Sequence, residues 1–139
     1  MNLKSLLTTD TSSRATSFGL LVLRVGALSL FLKHGIEKLT GYSTMVQHFP
    51  DPIHIGAHAS LAFALFSDGI CSVLVMLGLA TRPAVAVILI NILTAFFFVH
   101  HAAYFSDRHV ELVATYIIIF ATLLFTGPGR YSVDARLRR

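Results

Sequence analysis

The stretch from Phe18 to Gly41, FGLLVLRVGALSLFLKHGIEKLTG, is long and apolar enough to cross a bilayer, yet it carries Arg24, Lys33, His34, Glu37 and Lys38. On a helix at 100° per residue, Arg24, His34 and Lys38 fall within an arc of about 80°, and Lys33 and Glu37 form an i,i+4 pair on the other side. A charge at the centre of a membrane helix costs roughly 2.5–3.5 kcal/mol on insertion scales, so such residues face a bundle interior and find partners there. The rest of the chain must supply them. Asp68, Arg82, His100, His101 and Glu111 are the ionisable residues inside, or at the ends of, the later apolar segments.

The 139 residues are 55% hydrophobic and 13% charged, with a mean hydropathy of +0.72. That is a membrane composition rather than a soluble globular one. The first apolar segment exceeds the apolar region of a signal peptide and is followed by further segments without an evident small-residue cleavage site, so it is expected to be retained. The basic residues, which set a pI near 9.6, are spread over chain ends and short loops, which argues for membrane orientation and against a nucleic-acid partner. Cys71 is the one cysteine. It allows no internal disulfide and no C-x-x-C redox motif.

Residues 1–16 read as a short polar tail, ending near an N-cap at Thr16 or Ser17, and residues 17–129 as the membrane domain. Four spans are expected, over residues 18–40, 58–80, 83–101 and 110–126. Pro50, Asp51 and Pro52 interrupt the chain between the first two, in a loop from Tyr42 to Gly56 long enough to be structured. The second span carries a stripe of small residues, Ser60, Ser67, Cys71 and Gly78, which lets membrane helices approach closely, and Asp68, the deepest acid. Thr81 to Pro83 reads as a tight turn with Pro83 opening the third helix, so the second and third helices are antiparallel neighbours. On the third, Asn91, Thr94, Phe98 and His101 share a face and His100 points the opposite way. The fourth has Glu111, Thr115, Thr122 and Thr126 on one face, which is expected to look inward. Gly127, Pro128 and Gly129 end it, and residues 130–139 form a basic tail.

The fold class is therefore an all-α integral membrane protein, a four-transmembrane-helix bundle with both termini on one side. That side holds Lys4, Arg14, Arg82, Arg130, Arg136, Arg138 and Arg139, against Lys38 and Arg108 on the other. The excess of lysine and arginine places the N and C termini in the cytoplasm. The histidines, His34, His48, His54, His58, His100, His101 and His109, then lie at or near the outer face.

Three stretches together resemble the DoxX family of small bacterial four-helix membrane proteins: LRVGALSLFLKHGIEKLTG with its K-H-G-x-x-K core, LGLATRPA between helices two and three, and GPGRYSVDARL at the end. The resemblance runs from about Phe18 to Leu137. It implies a multi-pass protein of the bacterial inner membrane and a role as a subunit of a membrane-associated oxidoreductase system. Members resemble the small subunit of an archaeal thiosulfate:quinone oxidoreductase and part of a mycobacterial complex linking superoxide dismutase with a thiol-handling sulfurtransferase. Arg24, His34, Gly35, Lys38, Arg82 and Glu111 occupy motif positions. Asp68 stands where the family often has Glu, and Ala102 where a glycine commonly follows the histidine at the end of helix three.

The candidate polar cluster is Arg24, His34, Lys38, Asp68, Arg82, His101 and Glu111, read as two constellations. Arg24 with Asp68 forms either a structural ion pair or a proton or quinone contact. His34, Lys38, His101 and Glu111, near the outer helix ends, are either solvated at the interface or bind a quinone carbonyl and pass protons. His54 and His58 sit at i,i+4, a spacing that would suit a metal if the second helix began early, but no metal site is expected. No nucleotide, haem or cluster fingerprint is present, and quinone is the ligand to consider. Two functions remain open: a membrane subunit of an oxidoreductase system linked to the quinone pool, or a non-enzymatic anchor or assembly subunit. Either implies the lipid bilayer and a protein partner complex as partners, with homo-oligomerisation undecided.

Overall fold

The structure, a computed structural model, describes residues 14–100 and 108–137. The described residues form helices joined by turns and short irregular segments, with no strand among them. Four long helices pack side by side: α1 (Arg14–Thr40), α2 (Ala57–Leu77), α3 (Thr81–Val99) and α4 (Arg108–Thr126). The first three are long and apolar enough to cross a membrane, and the apolar stretch Val110–Thr126 of α4 is shorter. At 1.5 Å per residue, the 27 residues of α1 extend about 40 Å.

Helix α1 runs through Thr16 and Ser17 rather than being capped by them. No breaker separates Arg14 from Phe18, and Ser17 is buried, its carbonyl close to Gly129. Helix α2 contains a π-helical segment, Phe66–Cys71. The wider turn brings adjacent residues inward in pairs, so that Ser67, Asp68, Cys71 and Ser72 are all buried. Helix α3 ends in a second π segment, Ala95–Val99.

The turn between α2 and α3 follows from two left-handed residues. Gly78 (φ 72°) closes α2, its amide donating to the Val75 carbonyl at 3.0 Å and the Leu79 amide to Leu74 at 2.9 Å, the paired bonds of a Schellman motif. Ala80 (φ 47°) precedes α3, which therefore begins at Thr81, two residues before the expected Pro83. The N-terminal end of α3's helix dipole is met from the far end of the sequence. Asp134 accepts hydrogen bonds from the amides of Ala80 (2.8 Å) and Thr81 (3.0 Å), while its own amide donates to the Gly78 carbonyl at 2.8 Å. A carboxylate at a helix N-terminus satisfies orphan amides and the dipole together.

The core runs along the bundle axis through Leu28, Phe31, Val75, Val85, Ile88 and Phe120. Phe31 meets Tyr116 and Phe120 edge to face, with ring centroids 5.0 Å apart in both pairs. That packing sets the rotation of α4 and overturns its expected inward face. Tyr116, Phe120 and Leu123 point in, whereas Glu111, Thr115, Thr122 and Thr126 are exposed. The threonines need no core partner, because the hydroxyls of Thr115, Thr122 and Thr126 each donate to the carbonyl four residues back at 2.8 Å. Phe97 and Phe98 are likewise exposed.

The loop between α1 and α2 is structured. A single helical turn, Tyr42–Met45, follows α1, and Asp51 gathers the loop's end by accepting hydrogen bonds from the Ile55 amide (3.1 Å), the Gly56 amide (2.7 Å) and the Ser60 hydroxyl (2.8 Å). His54 sits at φ 56° outside α2, so it does not share a helix face with His58. The Ser60 hydrogen bond, foremost, with the two amides, holds the Asp51 carboxyl below its ordinary value. A carboxylate whose folded pKa is depressed lends stability above its unfolded pKa and loses it as pH falls through the folded one. The loop is therefore expected to loosen only in acid, below the ordinary carboxylate range. Pepsin cleavage of residues 46–56 relative to Asp51→Ala checks this: wild type and variant should converge as the pH is lowered, and a constant ratio would refute the assignment.

Candidate functional site

Two clusters of buried polar groups divide the bundle, one at each end. At the end carrying the termini, Arg24 is 1% exposed. Its Nε donates to the Met76 carbonyl at 3.1 Å, Nη1 to the Pro128 carbonyl and Nη2 to the Tyr131 carbonyl at 2.7 Å. The Schellman motif leaves the Met76 carbonyl without an amide partner, and the guanidinium fork supplies one. The Gly-Pro-Gly turn, with Gly127 at φ 74° and Gly129 at φ 77°, folds the chain back so that Pro128 and Tyr131 present their carbonyls to the same arginine. Ser132 then packs on Gly78, where a Cβ would collide with it. Arg82 is exposed, with Nη2 3.3 Å from the Phe125 carbonyl at the end of α4.

Arg24 is thus not the partner of Asp68. The Asp68 carboxylate accepts from Lys38 Nζ at 2.7 Å, Asn91 Nδ2 at 2.9 Å and the Ser67 hydroxyl at 3.2 Å. Both charged side chains are shielded, Lys38 at 19% and Asp68 at 5% exposure. The reason lies in Gly35. A Cβ there would stand 2.7 Å from the Asp68 carbonyl oxygen and 2.8 Å from the Gly69 nitrogen, so the bare glycine lets α1 press against the π segment of α2. Lys38, three residues on, occupies the same flank one turn away and curls inward to the carboxylate. The H-G-x-x-K element is a contact surface built for a buried ion pair.

Above this pair opens a cavity of about 290 Å³, lined by Lys38, Asp68, Asn91, His34, Tyr116, His100 and Phe31, with Phe49 from the loop. His34 stands edge-on to Phe31 (centroids 5.8 Å) and Tyr116 (6.4 Å), and its Nδ1 lies 3.7 Å from Glu37 Oε2. A second, more apolar cavity of about 380 Å³ shares Lys38, Phe49, Asn91 and Ala95 and continues past Pro52, Ile53, Ile55, Phe63 and Ile90. A chamber with a cation, an imidazole and a phenol at one end and an apolar groove beside it can take an amphipathic molecule, with hydrogen-bond donors at its polar end.

Of the sequence candidates, Lys38, Asp68 and His34 meet at this chamber. Arg24 and Arg82 lie at the opposite end of the bundle. Glu111 is exposed and is not among the cavity's lining residues. His101 lies outside the described residues. Tyr116, Asn91 and Ser67 complete the site without having been singled out for it. Asn91 is a lone amide in the apolar run of α3 and was a recoverable signal, whereas Tyr116 is indistinguishable in sequence from any core aromatic. Lys33 and Glu37 pair as expected on the exposed face, at 3.6 Å.

These features define a multi-pass helical membrane protein whose interior carries two separately satisfied charge clusters. The chain belongs to the DoxX family, whose model matches residues 19–101. No curated protein and no solved structure matches it. The matched region runs from Gly19 within α1 past the end of α3 and so includes Arg24, His34, Gly35, Lys38, Asp68, Arg82 and Asn91.

Proposed function

We propose that the chain is a subunit of an oxidoreductase system of the bacterial inner membrane, spanning it four times with both termini in the cytoplasm, and that it holds a quinone in the chamber above Lys38 and Asp68. The observation carrying this reading is the junction of a polar chamber with an apolar groove at that ion pair. A quinone is an oxygen-bearing ring on an apolar tail, and the two cavities supply that division. Reduction to quinol takes two electrons, which the partner oxidoreductase supplies, and two protons, one for each carbonyl oxygen. Lys38 retains donors beyond the one given to Asp68, and His34 and Tyr116 are the proton-bearing groups across the chamber.

Orientation rests on the charge excess at the termini and at Arg82 in the first turn of α3, next to the Gly78 to Ala80 turn that joins α2 and α3. Reporter fusions after Arg139 and within that turn should register cytoplasm, and fusions within Ser43 to Pro52 the outside. Inverted labelling would contradict it.

The functional test is quinone-dependent electron transfer by the protein assembled with its partner. His34→Phe is expected to lower the rate per assembled complex by about 10²–10⁴-fold, the usual contribution of a positioned acid or base. Glu111→Gln should leave it unchanged. If His34→Phe only lowers the quantity of assembled complex, the chain is an anchor.

A further inference from the structure

We propose that the end of the bundle opposite the quinone chamber binds the phosphate of an anionic phospholipid between Arg82 and Arg130. A cavity of about 500 Å³ lies there, walled by the start of α3, the end of α4 and the Gly-Pro-Gly turn, with Arg82, Arg130, Thr81 and Thr126 in its lining. Asp134 is the acid in that lining, and its charge is already committed. Its carboxylate oxygens take the amides of Ala80 and Thr81, and it interacts electrostatically with the Arg24 guanidinium.

Arg82 and Arg130 are therefore surplus positive charge. Both are exposed, and among the described residues no carboxylate forms an ion pair with either. Among the described residues Arg82 makes one long hydrogen bond, 3.3 Å to the Phe125 carbonyl, leaving most of its five donors for another acceptor. The Thr81 hydroxyl, fully buried in the cavity wall, has no hydrogen-bond partner among the described residues. Arginine forks match phosphate oxygens in pairs.

The same place favours a lipid over a soluble phosphate. Phe125, 79% exposed and with its carbonyl bonded to Arg82, gives acyl chains an apolar surface next to that charge. The cavity sits at the ends of the apolar helices, where a headgroup lies when its chains run along α3 and α4. A basic residue at a membrane surface contributes about fivefold in affinity for an anionic lipid, so the two arginines together contribute about 25-fold.

Native mass spectrometry of the full-length protein, titrated with dioleoylphosphatidylglycerol, tests the site, with dioleoylphosphatidylcholine and inorganic phosphate as separate arms. Wild type should retain phosphatidylglycerol in preference to phosphatidylcholine. R82Q/R130Q should lose about 25-fold in apparent affinity, R82K/R130K, which keeps the charges but not the paired fork, should fall between wild type and R82Q/R130Q, and R136Q, outside the cavity, should lose less than R82Q/R130Q by a wide margin. Equal losses for R136Q and R82Q would mean a diffuse basic surface and overturn the site. Inorganic phosphate that binds as well as the lipid and displaces it would overturn the lipid assignment.

Discussion

Arg24→Gln is expected to destabilise the bundle by about 3–5 kcal/mol, the range for removing one partner from a buried charged network. A carbonyl left fully buried and unsatisfied costs about 1–3 kcal/mol, and the change removes the donor from the part-buried carbonyls of Met76, Pro128 and Tyr131 together. Substitute partners found within a membrane keep the total below the sum. Arg24→Lys should recover little, because a point ammonium cannot reach three carbonyls that a planar fork reaches at once. Unfolding in mixed micelles, followed by helical signal, measures this. A loss under about 1 kcal/mol would show that the carbonyls re-satisfy themselves without the arginine.

Asp68→Asn should cost a similar amount, about 3–5 kcal/mol, by leaving the Lys38 ammonium in a shielded site without its anion. Adding Lys38→Met should restore a large part, since replacing both members of a buried pair is far less damaging than removing one. By contrast, Arg24→Gln combined with Asp68→Asn should be additive to within about 0.5 kcal/mol, as expected of residues with no shared partner. Strong coupling between Arg24 and Asp68, or its absence between Lys38 and Asp68, would reverse the assignment of partners.

The pairing shows what was legible in the sequence. That charges in apolar helices must be paired, and that Arg24, Lys38 and Asp68 are among those charges, follows from composition and the cost of burial. Which one meets which does not, because it depends on the π segment Phe66–Cys71 and on Gly35, and a 100° helical wheel has no term for a wide turn. The same assumption places the polar face of α4 inward. Threonines that satisfy their hydroxyls on their own helix remove the reason for burying them, and the Phe31–Tyr116–Phe120 packing then decides the rotation. The Gly-Pro-Gly turn was readable as a stop but not as an acceptor for Arg24, since main-chain carbonyls leave no mark on a sequence. The four long helices were legible, whereas the short helices Tyr42–Met45 and Val133–Leu137 stood in what read as a loop and a basic tail, the second because the contacts of Ser132 and Asp134 with the junction of α2 and α3 leave no mark on the sequence.

The chamber above Lys38 and Asp68 is proposed to hold a quinone, and organic extraction of quinone from the purified protein is the sharpest test of that. Wild type should carry quinone from the membrane into detergent. His34→Phe with Tyr116→Phe, which removes two polar groups from the chamber without opening a large cavity, should yield folded protein with markedly less. Wild-type protein without quinone, or a double variant that carries as much as wild type, would rule out quinone binding in this chamber.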